Sequence, residues 1–486
     1  MGRASRFPWV VIVLLSTFTC VSVGQDMDAK AVRAEVDFSK HLREWDGFGV
    51  NYVELAQSRD YAKDPQEYGG FSRLSESKRQ EILDLVFGED GLKPGVVKMF
   101  FDPFHQKTPN SPFDHETTTR WMRYFVREGL RKTRARGGDL EIITTLYGPP
   151  AWATQQKILR GRDLDMSQKH ELALYMIDWV KYLKEEEGFP VKYLSFHNEG
   201  DSPGRWPLDG RHGNIGKGHD YNAFWRPWQV ADFLAFMRPM MDAAGLRDVG
   251  LTPGECTTWG HFERHWYHWA IYDNADAIRN IGLVTSHGFG ASSVITSQPK
   301  DLLNMKRPDL HAWTTSMSWS KMDVASIDLI RLNIYQAKVN AVIPWACIQT
   351  LTWVGGDPNP GTAIRVSEDG TYEVLRGYHY YKQVAPVGQP GMAVAAVKAP
   401  DDSGIELIAF AGNDTAHPDA FVILNKNRGA RKIEVVVKNA KGRAFVAYRT
   451  SDDKDRNADA GTFTLAKGDR LAYTAPARSV TTFCAR

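Results

Sequence analysis

Short apolar runs alternate with longer amphipathic stretches from residue 46 to residue 385, and this alternation restricts the fold more than any other feature of the chain. The apolar runs are typical of buried strands, whereas a stretch such as Gln168–Glu187 carries Leu, Lys and Glu at helical spacing. Eight strands alternating with helices predict an α/β protein whose parallel sheet closes into a (β/α)₈ TIM barrel. A doubly wound open sheet, the competing arrangement, usually has a Gly-rich phosphate loop after its first strand, and none is visible. The predicted strands are Gly47–Tyr52, Val96–Phe101, Leu140–Leu146, Val191–Phe196, Val249–Thr252, Gly282–Ser286, Leu310–Thr315 and Val339–Ala346.

The pattern changes after about residue 386, where short strand-like runs are separated by Asp, Asn and Gly. This pattern predicts an antiparallel β-sandwich packed against the barrel. The segment Val32–Phe38, before the barrel, is also strand-like and can join the sandwich. We therefore expect a joining strand within 25–45, the barrel at 46–385 and the sandwich at 386–486. The predicted sandwich strands are Gly391–Val397, Ile405–Phe410, Ala420–Leu424, Lys432–Val437, Ala444–Tyr448, Thr462–Leu465 and Ser479–Phe483.

The N-terminus has the features of a targeting segment. Arg3 and Arg6 precede the apolar run Trp9–Leu15, and the small residues Ser22 and Gly24 follow. This order predicts a signal peptide at 1–24, with cleavage before Gln25, and hence a secreted or periplasmic protein. The apolar run is too short to span a bilayer, and no other stretch reaches that length, so no membrane span is predicted.

Charge and composition narrow the class of partner. Lys and Arg together number 60 against 58 Asp and Glu, and the net charge of +2 lacks the basic excess of a nucleic-acid-binding protein. The chain has 15 Trp residues. Most of them are expected in the core, but a surplus also suits stacking against sugar rings. Composition therefore argues against a nucleic-acid partner and is compatible with a carbohydrate partner.

The end of the fourth predicted strand carries the clearest chemical signal. Asn198 and Glu199 follow that strand directly, at the face where the active sites of such barrels lie. A carboxylic acid there can protonate a glycosidic oxygen, and a neighbouring amide can bind a sugar hydroxyl. The alternative is a loop Asn and Glu that only form caps or ion pairs.

Several motifs, in order, resemble those of glycoside hydrolase family 30, which includes glucosylceramidases, xylanases and β-1,6-galactanases or glucanases. Trp45-Asp46-Gly47-Phe48-Gly49 is similar to the opening strand of that family, and Tyr147-Gly148-Pro149-Pro150-Ala151-Trp152 to a motif after its third strand. His197-Asn198-Glu199 resembles the acid/base motif, Ser286-His287 the end of the sixth strand, and Trp345 the end of the eighth. The resemblance covers nearly the whole mature chain. It implies a hydrolase of β-linked sugars in which Glu199 is the acid and Tyr147, Trp152, Asn198, His287 and Trp345 line the sugar subsite.

The resemblance fails at the nucleophile. The family has a Glu at the end of the seventh strand, whereas this chain has Ser316 there and no Asp or Glu between Leu310 and Met322. Two other carboxylates follow strands and should face the barrel mouth: Glu255 after the fifth strand and Asp102 after the second. With either one as base the enzyme would invert the anomeric configuration, which needs carboxyl groups about 6.5–9.5 Å apart rather than about 5–5.5 Å. Alternatively, Glu255 and Asp102 only bind substrate or support other residues.

No cofactor and no metal site is predicted. His261 and His265 are spaced as on one helix face, but Phe262 stands where the zinc-peptidase motif needs Glu, so these residues are expected to pack or to face substrate. The leading prediction is therefore an exported glycosidase with Glu199 as general acid. A non-catalytic glycan-binding barrel that has lost its nucleophile is the alternative, and an eliminating enzyme that uses Tyr or His is a third.

Overall fold

The computed structural model describes residues 31–54, 67–204, 206, 208, 222–319, 322–350 and 362–486, so the predicted signal peptide lies outside the described residues. The strands are β1 (Val32–Glu44), β2 (Gly47–Asn51), β3 (Val96–Phe101), β4 (Glu141–Leu146), β5 (Val191–Ser195), β6 (Gly250–Thr252), β7 (Val284–Ser286), β8 (Ala312–Thr314), β9 (Ala341–Val342), β10 (Ile348–Thr350), β11 (Ile364–Val366), β12 (Tyr372–Val374), β13 (Ala393–Lys398), β14 (Ile405–Ala411), β15 (Ala420–Asn425), β16 (Arg431–Lys438), β17 (Ala444–Ser451), β18 (Ala458–Thr464), β19 (Arg470–Ala475) and β20 (Ser479–Ala485). The α-helices are α1 (Glu76–Phe87), α2 (Arg120–Ala135), α3 (Lys169–Glu185), α4 (Pro227–Ala243), α5 (Trp259–Arg264), α6 (Tyr267–Asp273), α7 (Ala275–Asn280), α8 (Gln298–Asn304), α9 (Val324–Tyr335) and α10 (Arg376–Tyr381).

Strands β2 to β9 form the predicted barrel, with β2 as its first strand and β9 as its eighth. Their order in the sheet is β6-β5-β4-β3-β2-β9-β8-β7, and the paired strands are parallel. The ring closes between β6 and β7, where the amide of Gly282 donates to the carbonyl of Leu251 at 2.8 Å and Cys256 pairs with Ser286. The predicted (β/α)₈ architecture is confirmed.

The barrel forms because its strands are buried on both faces and its helices on one. All six residues of β3 are buried, as expected for a strand with side chains inside the barrel and helices outside it. Helix α3 buries Leu172, Met176, Trp179 and Leu183, a spacing that produces one apolar stripe. The indole of Trp179 reaches the sheet and donates to Thr144 Oγ1 at 2.8 Å, which satisfies a polar group in the interface.

The second body is a sheet whose order is β18-β17-β20-β15-β14-β13-β1-β16-β19. It folds back on itself, because Tyr473 of the end strand β19 packs edge-on against Phe483 of β20, with ring centroids 5.2 Å apart. The Tyr473 hydroxyl also lies 2.9 Å from Thr481 Oγ1. A separate buried cluster fills the space between the two halves, which gives the predicted sandwich.

The sandwich differs from the prediction in two respects. It is mixed rather than purely antiparallel, since β1 pairs with β13 in the antiparallel sense and with β16 in the parallel sense. The sequence also missed β19, in which Leu471, Tyr473 and Ala475 alternate with exposed residues. The domain boundaries proposed from the sequence stay predictions.

The two bodies share a core at the start of the barrel. Trp45 lies between them, with its backbone amide bonded to Met392 O at 2.7 Å and its indole to Gly388 O at 2.9 Å. Phe48 of β2 meets Phe410 of β14 edge-on, with centroids 5.8 Å apart. This apolar junction supports a fixed relation between barrel and sandwich.

Candidate functional site

Glu199 lies just beyond the C-terminal end of β5, on a loop tied to its neighbour. Its backbone amide donates to Glu255 O at 2.7 Å, and the amide of Glu255 donates to His197 O at 2.9 Å. Glu199 has a φ of 55°, a left-handed conformation that is uncommon outside glycine and is found disproportionately at functional sites. The Asn222 side chain donates to the carbonyl oxygen of Asn198 and so anchors the same turn.

A glycine allows the loops after β5 and β6 to approach so closely. Gly254 has a φ of 87°, and a Cβ atom at this position would lie 2.2 Å from the His197 ring. Any side chain here would therefore push the His197 ring away. Because Glu255 is the next residue, Gly254 helps to set where the Glu255 carboxylate lies.

The Glu255 carboxylate is fully buried and has three partners. It forms an ion pair with the Lys98 ammonium, accepts a hydrogen bond from Thr145 Oγ1 at 2.6 Å, and lies 3.1 Å from His287 Nε2. Burial alone would raise the pKa of Glu255, but Lys98 and His287 outweigh it and lower the pKa to about 2. Glu255 is therefore an anion throughout the neutral range.

His287, at the end of β7, lies between the two glutamates. Its Nδ1 is 3.3 Å from Glu199 Oε1 and its Nε2 is 3.1 Å from Glu255 Oε2. Burial lowers the pKa of His287, but the two carboxylates more than compensate, so the pKa is raised overall. One imidazole ring thus links the surface-facing Glu199 to the buried Glu255.

Lys98, which the sequence analysis did not single out, completes this chain of charges. It lies inside the barrel on β3, with no exposed surface, and its ammonium is 4.7 Å from the Phe100 ring centroid and 3.4 Å from the carbonyl oxygen of Thr315. A lysine within an apolar strand was the signal that could have revealed it, because lysine is rarely buried without a partner. Its partner, Glu255, was already a candidate.

An aromatic wall adjoins the charged residues. Phe100 meets Tyr147 and Trp345 edge-on, with centroid distances of 5.0 and 5.7 Å. The rings of Tyr147 and Trp345 lie 6.1 Å apart and within 20° of parallel. Contacts therefore run from Glu199 through His287, Glu255 and Lys98 to the predicted sugar-binding aromatics.

Asp102 and Trp152 lie against the loop that follows β3. The amide of Phe104 donates to Asp102 Oδ1 at 2.8 Å, and the Trp152 indole donates to Gln106 O at 3.3 Å. Burial raises the pKa of Asp102 to about 7. Both side chains thus contact the loop that follows β3.

Ser316, predicted to occupy the position of the family's nucleophile, follows β8. It is buried, and its carbonyl oxygen accepts a hydrogen bond from the amide of Gly288 at 2.8 Å. Gly288 directly follows His287, so the backbone of Ser316 lies next to the His287 loop. Ser316 therefore lies close to the charged residues, while its part in substrate binding stays a prediction.

Comparison with solved structures defines the class of fold: the chain shares the barrel and sandwich of glycoside hydrolase family 30 structures, so the predicted resemblance is confirmed for the fold. A family 30 endoxylanase from Clostridium papyrosolvens C71 aligns with a TM-score of 0.67 and 17% identity over 93% of this chain and 100% of that one. The endo-β-1,6-glucanase BT3312 also aligns with 0.67 and 17%, over 93% and 94%. A conserved exported protein from Bacteroides fragilis aligns with 0.70 and 13%, over 93% and 99%.

Sequence comparison gives no closer assignment. No protein-family model matches the chain, and no curated protein matches it. Within the described ranges, no helix combines the length and apolar character needed to cross a membrane.

Proposed function

We propose that the chain is a glycoside hydrolase acting on a β-linked polysaccharide or oligosaccharide, with Glu199 as general acid. The observation that carries the proposal is the contact chain in which Glu199 lies 3.3 Å from His287, itself held by the buried Glu255–Lys98 ion pair. The likeness to solved xylanase and glucanase structures supports the same class of reaction.

The free-energy cost of burying Lys98, Glu255 and His287 favours a chemical role for these residues. Removing an ion from water has a penalty of several kcal/mol, which a buried ion pair only partly offsets. Lys98 and Glu255 have no exposed side-chain surface, and His287 has almost none. Clusters of buried groups with displaced pKa values at a barrel mouth are characteristic of active sites.

In the proposed reaction, Glu199 transfers its proton to the glycosidic oxygen as the bond from that oxygen to the anomeric carbon breaks. Water supplies the new bond to the anomeric carbon, so that two sugar hydroxyl groups replace the linkage. In this proposal His287 orients Glu199, and Asn198 binds a hydroxyl of the same sugar. Trp345, which is partly exposed, offers a ring on which a sugar can stack, and the buried Tyr147 ring packs beside it.

The base in an inverting reaction would be Asp102 or Glu255, and their electrostatics favour Asp102. A general base works best with a pKa near the working pH. The pKa of Asp102, about 7, meets this condition, whereas Glu255, with a pKa of about 2 and a carboxylate held by Lys98, Thr145 and His287, is a weak base. Both carboxyl groups are buried, so the difference in pKa is what distinguishes them. We propose that Glu255 instead holds His287 in place.

The Glu199→Gln variant tests the acid. We expect it to lower kcat on an unactivated β-linked substrate by about 10²–10⁴-fold, and to lower it much less on an aryl glycoside whose leaving group needs no proton. Glu185→Gln, which changes a half-exposed glutamate on α3, is the matched control and should leave both rates unchanged. A Glu199→Gln enzyme with wild-type turnover on the unactivated substrate would remove Glu199 from this role.

The anomer formed first, observed by NMR, tests the stereochemistry. An inverted product, together with loss of activity in Asp102→Asn, would support Asp102 as base. A retained product would refute the inverting route for the wild-type enzyme.

Glycan binding without hydrolysis is the second candidate, and a specific observation favours it. The resemblance to family 30 implies a nucleophile where this chain has Ser316, and the nearby Glu255 carboxylate is enclosed by its own partners. Titration of the chain with xylan and β-1,6-glucan fragments, combined with a reducing-sugar assay, separates the two functions. Saturable binding with no sugar release across a substrate panel would favour the binding function.

We also propose that the protein is exported through the signal peptide at 1–24. N-terminal sequencing of the secreted protein tests this.

A further inference from the structure

Asp201, His261 and His265 form a second cluster of polar side chains that the proposed reaction does not use. Asp201 is two residues beyond Glu199, and the two histidines are one helical turn apart, on α5 and at its C-terminal end. One potential ligand atom from each residue lies within 4.8 Å of the other two. The whole set comes from two segments of the chain, the loop after β5 and helix α5 with its C-terminal residue.

The carboxylate of Asp201 is held in one orientation. Its Oδ1 accepts hydrogen bonds from the amide of Thr257 at 3.1 Å and from Thr257 Oγ1 at 2.9 Å. Its Oδ2 faces His261 Nδ1 at 2.6 Å, and His265 Nδ1 lies 3.1 Å from the backbone oxygen of Asp201. Such supporting bonds to a ligating carboxylate are a regular feature of metal sites.

The donor set suits a first-row divalent metal. Two imidazoles and one carboxylate are a common protein ligand set for Zn²⁺, with bonds of about 2.0–2.2 Å and a further position open to water. Ligand atoms in tetrahedral geometry are then about 3.4 Å apart. Asp201 Oδ2 and His261 Nδ1, now 2.6 Å apart, would therefore separate by a few tenths of an ångström, while the ligand atoms that lie up to 4.8 Å apart would move closer together. His265 is exposed and His261 partly so, which leaves both free to make that adjustment and leaves a path for the ion.

We propose that Asp201, His261 and His265 bind one divalent transition-metal ion, with Zn²⁺ as the best-suited ion. The ion pair with the Asp201 carboxylate involves only His261. The second ring lies 5.0 Å from the first, within 22° of parallel, and its Nδ1 is 3.1 Å from the backbone oxygen of Asp201. An ion bound to the carboxylate would be in reach of both rings, with His265 exchanging its backbone contact for the metal.

The ion would brace the loop that carries Glu199. Asp201 belongs to the loop after β5, and the histidines follow the loop after β6, so a common ion links the two segments. This role does not depend on glycosidase activity, because a binding barrel would need the same loop to be ordered.

Zn²⁺ titration of the full chain, without a polyhistidine tag and after EDTA treatment, tests the proposal by calorimetry. We expect one equivalent to bind, and His261→Ala and His265→Ala each to weaken binding by at least about tenfold. His170→Ala, which removes an exposed histidine on α3, is the control and should leave binding unchanged. Co²⁺ in place of Zn²⁺ should give visible absorption bands in the wild type that both cluster variants lose.

Both cluster variants change side chains that are at least partly exposed, so the fold should survive, and circular dichroism checks this. Zn²⁺ should also raise the Tm of the wild type and not that of the double variant. Absence of saturable binding, or binding of equal strength in the double variant, would overturn the proposal. Neither result bears on Glu199→Gln kinetics, so the metal site and the proposed hydrolysis fail separately.

Discussion

Lys98 and Glu255 illustrate how strongly a few side chains determine this site. Both are fully buried, and each is the other's charged partner. Removing one member of such a pair leaves an uncompensated buried charge, which is far more harmful than removing both. The pair therefore behaves as one unit, and variants of its two members should be strongly non-additive.

A double-mutant cycle tests this coupling. We expect Lys98→Met to lower the free energy of unfolding by about 3–5 kcal/mol, and Lys98→Met/Glu255→Gln to recover a large part of that loss. Urea denaturation provides the measurement. Lys132→Met, which breaks a pair with the mostly exposed Asp84, should change stability by no more than about 1 kcal/mol. Additive effects of Lys98→Met and Glu255→Gln would contradict the buried pairing.

Asp102 makes a prediction about pH. Its pKa in the folded chain, about 7, lies above the ordinary value of about 3.8, so folding favours the protonated carboxyl. This contribution to stability is complete below about pH 3.8 and is lost as the pH rises towards 7, with a slope of at most about 1.4 kcal/mol per pH unit. Asp102→Asn removes the titrating group, so its free energy of unfolding should fall less than that of the wild type between about pH 4.5 and 6.5. Parallel curves for the two proteins would contradict a raised pKa.

At the scale of elements, the ends of the barrel strands decide what the protein can do. All eight barrel strands could be predicted, because each is an apolar run long enough to be recognised, although β9 is only Ala341–Val342 where Val339–Ala346 was expected. The site was predicted in part. Glu199, Glu255 and His287 were singled out because they follow strands, and they lie together in the structure, while their roles stay predictions. The pairing of Glu255 with Lys98 could not be predicted, because it depends on barrel closure across distant strands. The short sheet β10–β12 was missed because each of its strands has a polar residue at its centre, Gln349, Arg365 or Glu373, and so none of them forms an apolar run.

The end of β8 gives a test of the proposal that Ser316 occupies the nucleophile position. Ser316→Glu would put a carboxylate there, and the Lys98 ammonium, 3.4 Å from the neighbouring Thr315 carbonyl oxygen, supplies a nearby positive charge. We expect release from an activated aryl glycoside to increase by about tenfold, equivalent to about 1.4 kcal/mol in the barrier, with a retained product. NMR of the first-formed anomer and initial rates provide the measurement. Ser316→Gln, similar in size but uncharged, is the control; an equal gain in that variant would exclude a nucleophilic role.

At the scale of the whole molecule, the barrel and the sandwich meet through an apolar junction rather than a linker. Trp45, Phe48 and Phe410 form its centre, and one continuous buried cluster contains residues of both bodies. An interface of this kind couples the stability of its two sides, since separating them would expose the aromatic rings to water. The sandwich therefore contributes to the stability of the barrel that carries the site.

The distribution of tryptophan makes this coupling measurable. No tryptophan follows Trp353, so indole fluorescence reports on the barrel and, through Trp45, on the junction, whereas the sandwich strands β13 to β20 contain none. Phe483 lies in the sandwich core, stacked on Phe421 with centroids 4.7 Å apart. We expect Phe483→Ala to lower the free energy of unfolding by about 3–5 kcal/mol. If the bodies unfold together, the urea midpoint from tryptophan fluorescence should fall with that from far-ultraviolet circular dichroism. Tyr448→Ala, at a side chain that is 40% exposed, should move neither midpoint appreciably. A fluorescence midpoint that stays at the wild-type value in Phe483→Ala would mean that the barrel stands without the sandwich, and that the junction contributes little to holding the site.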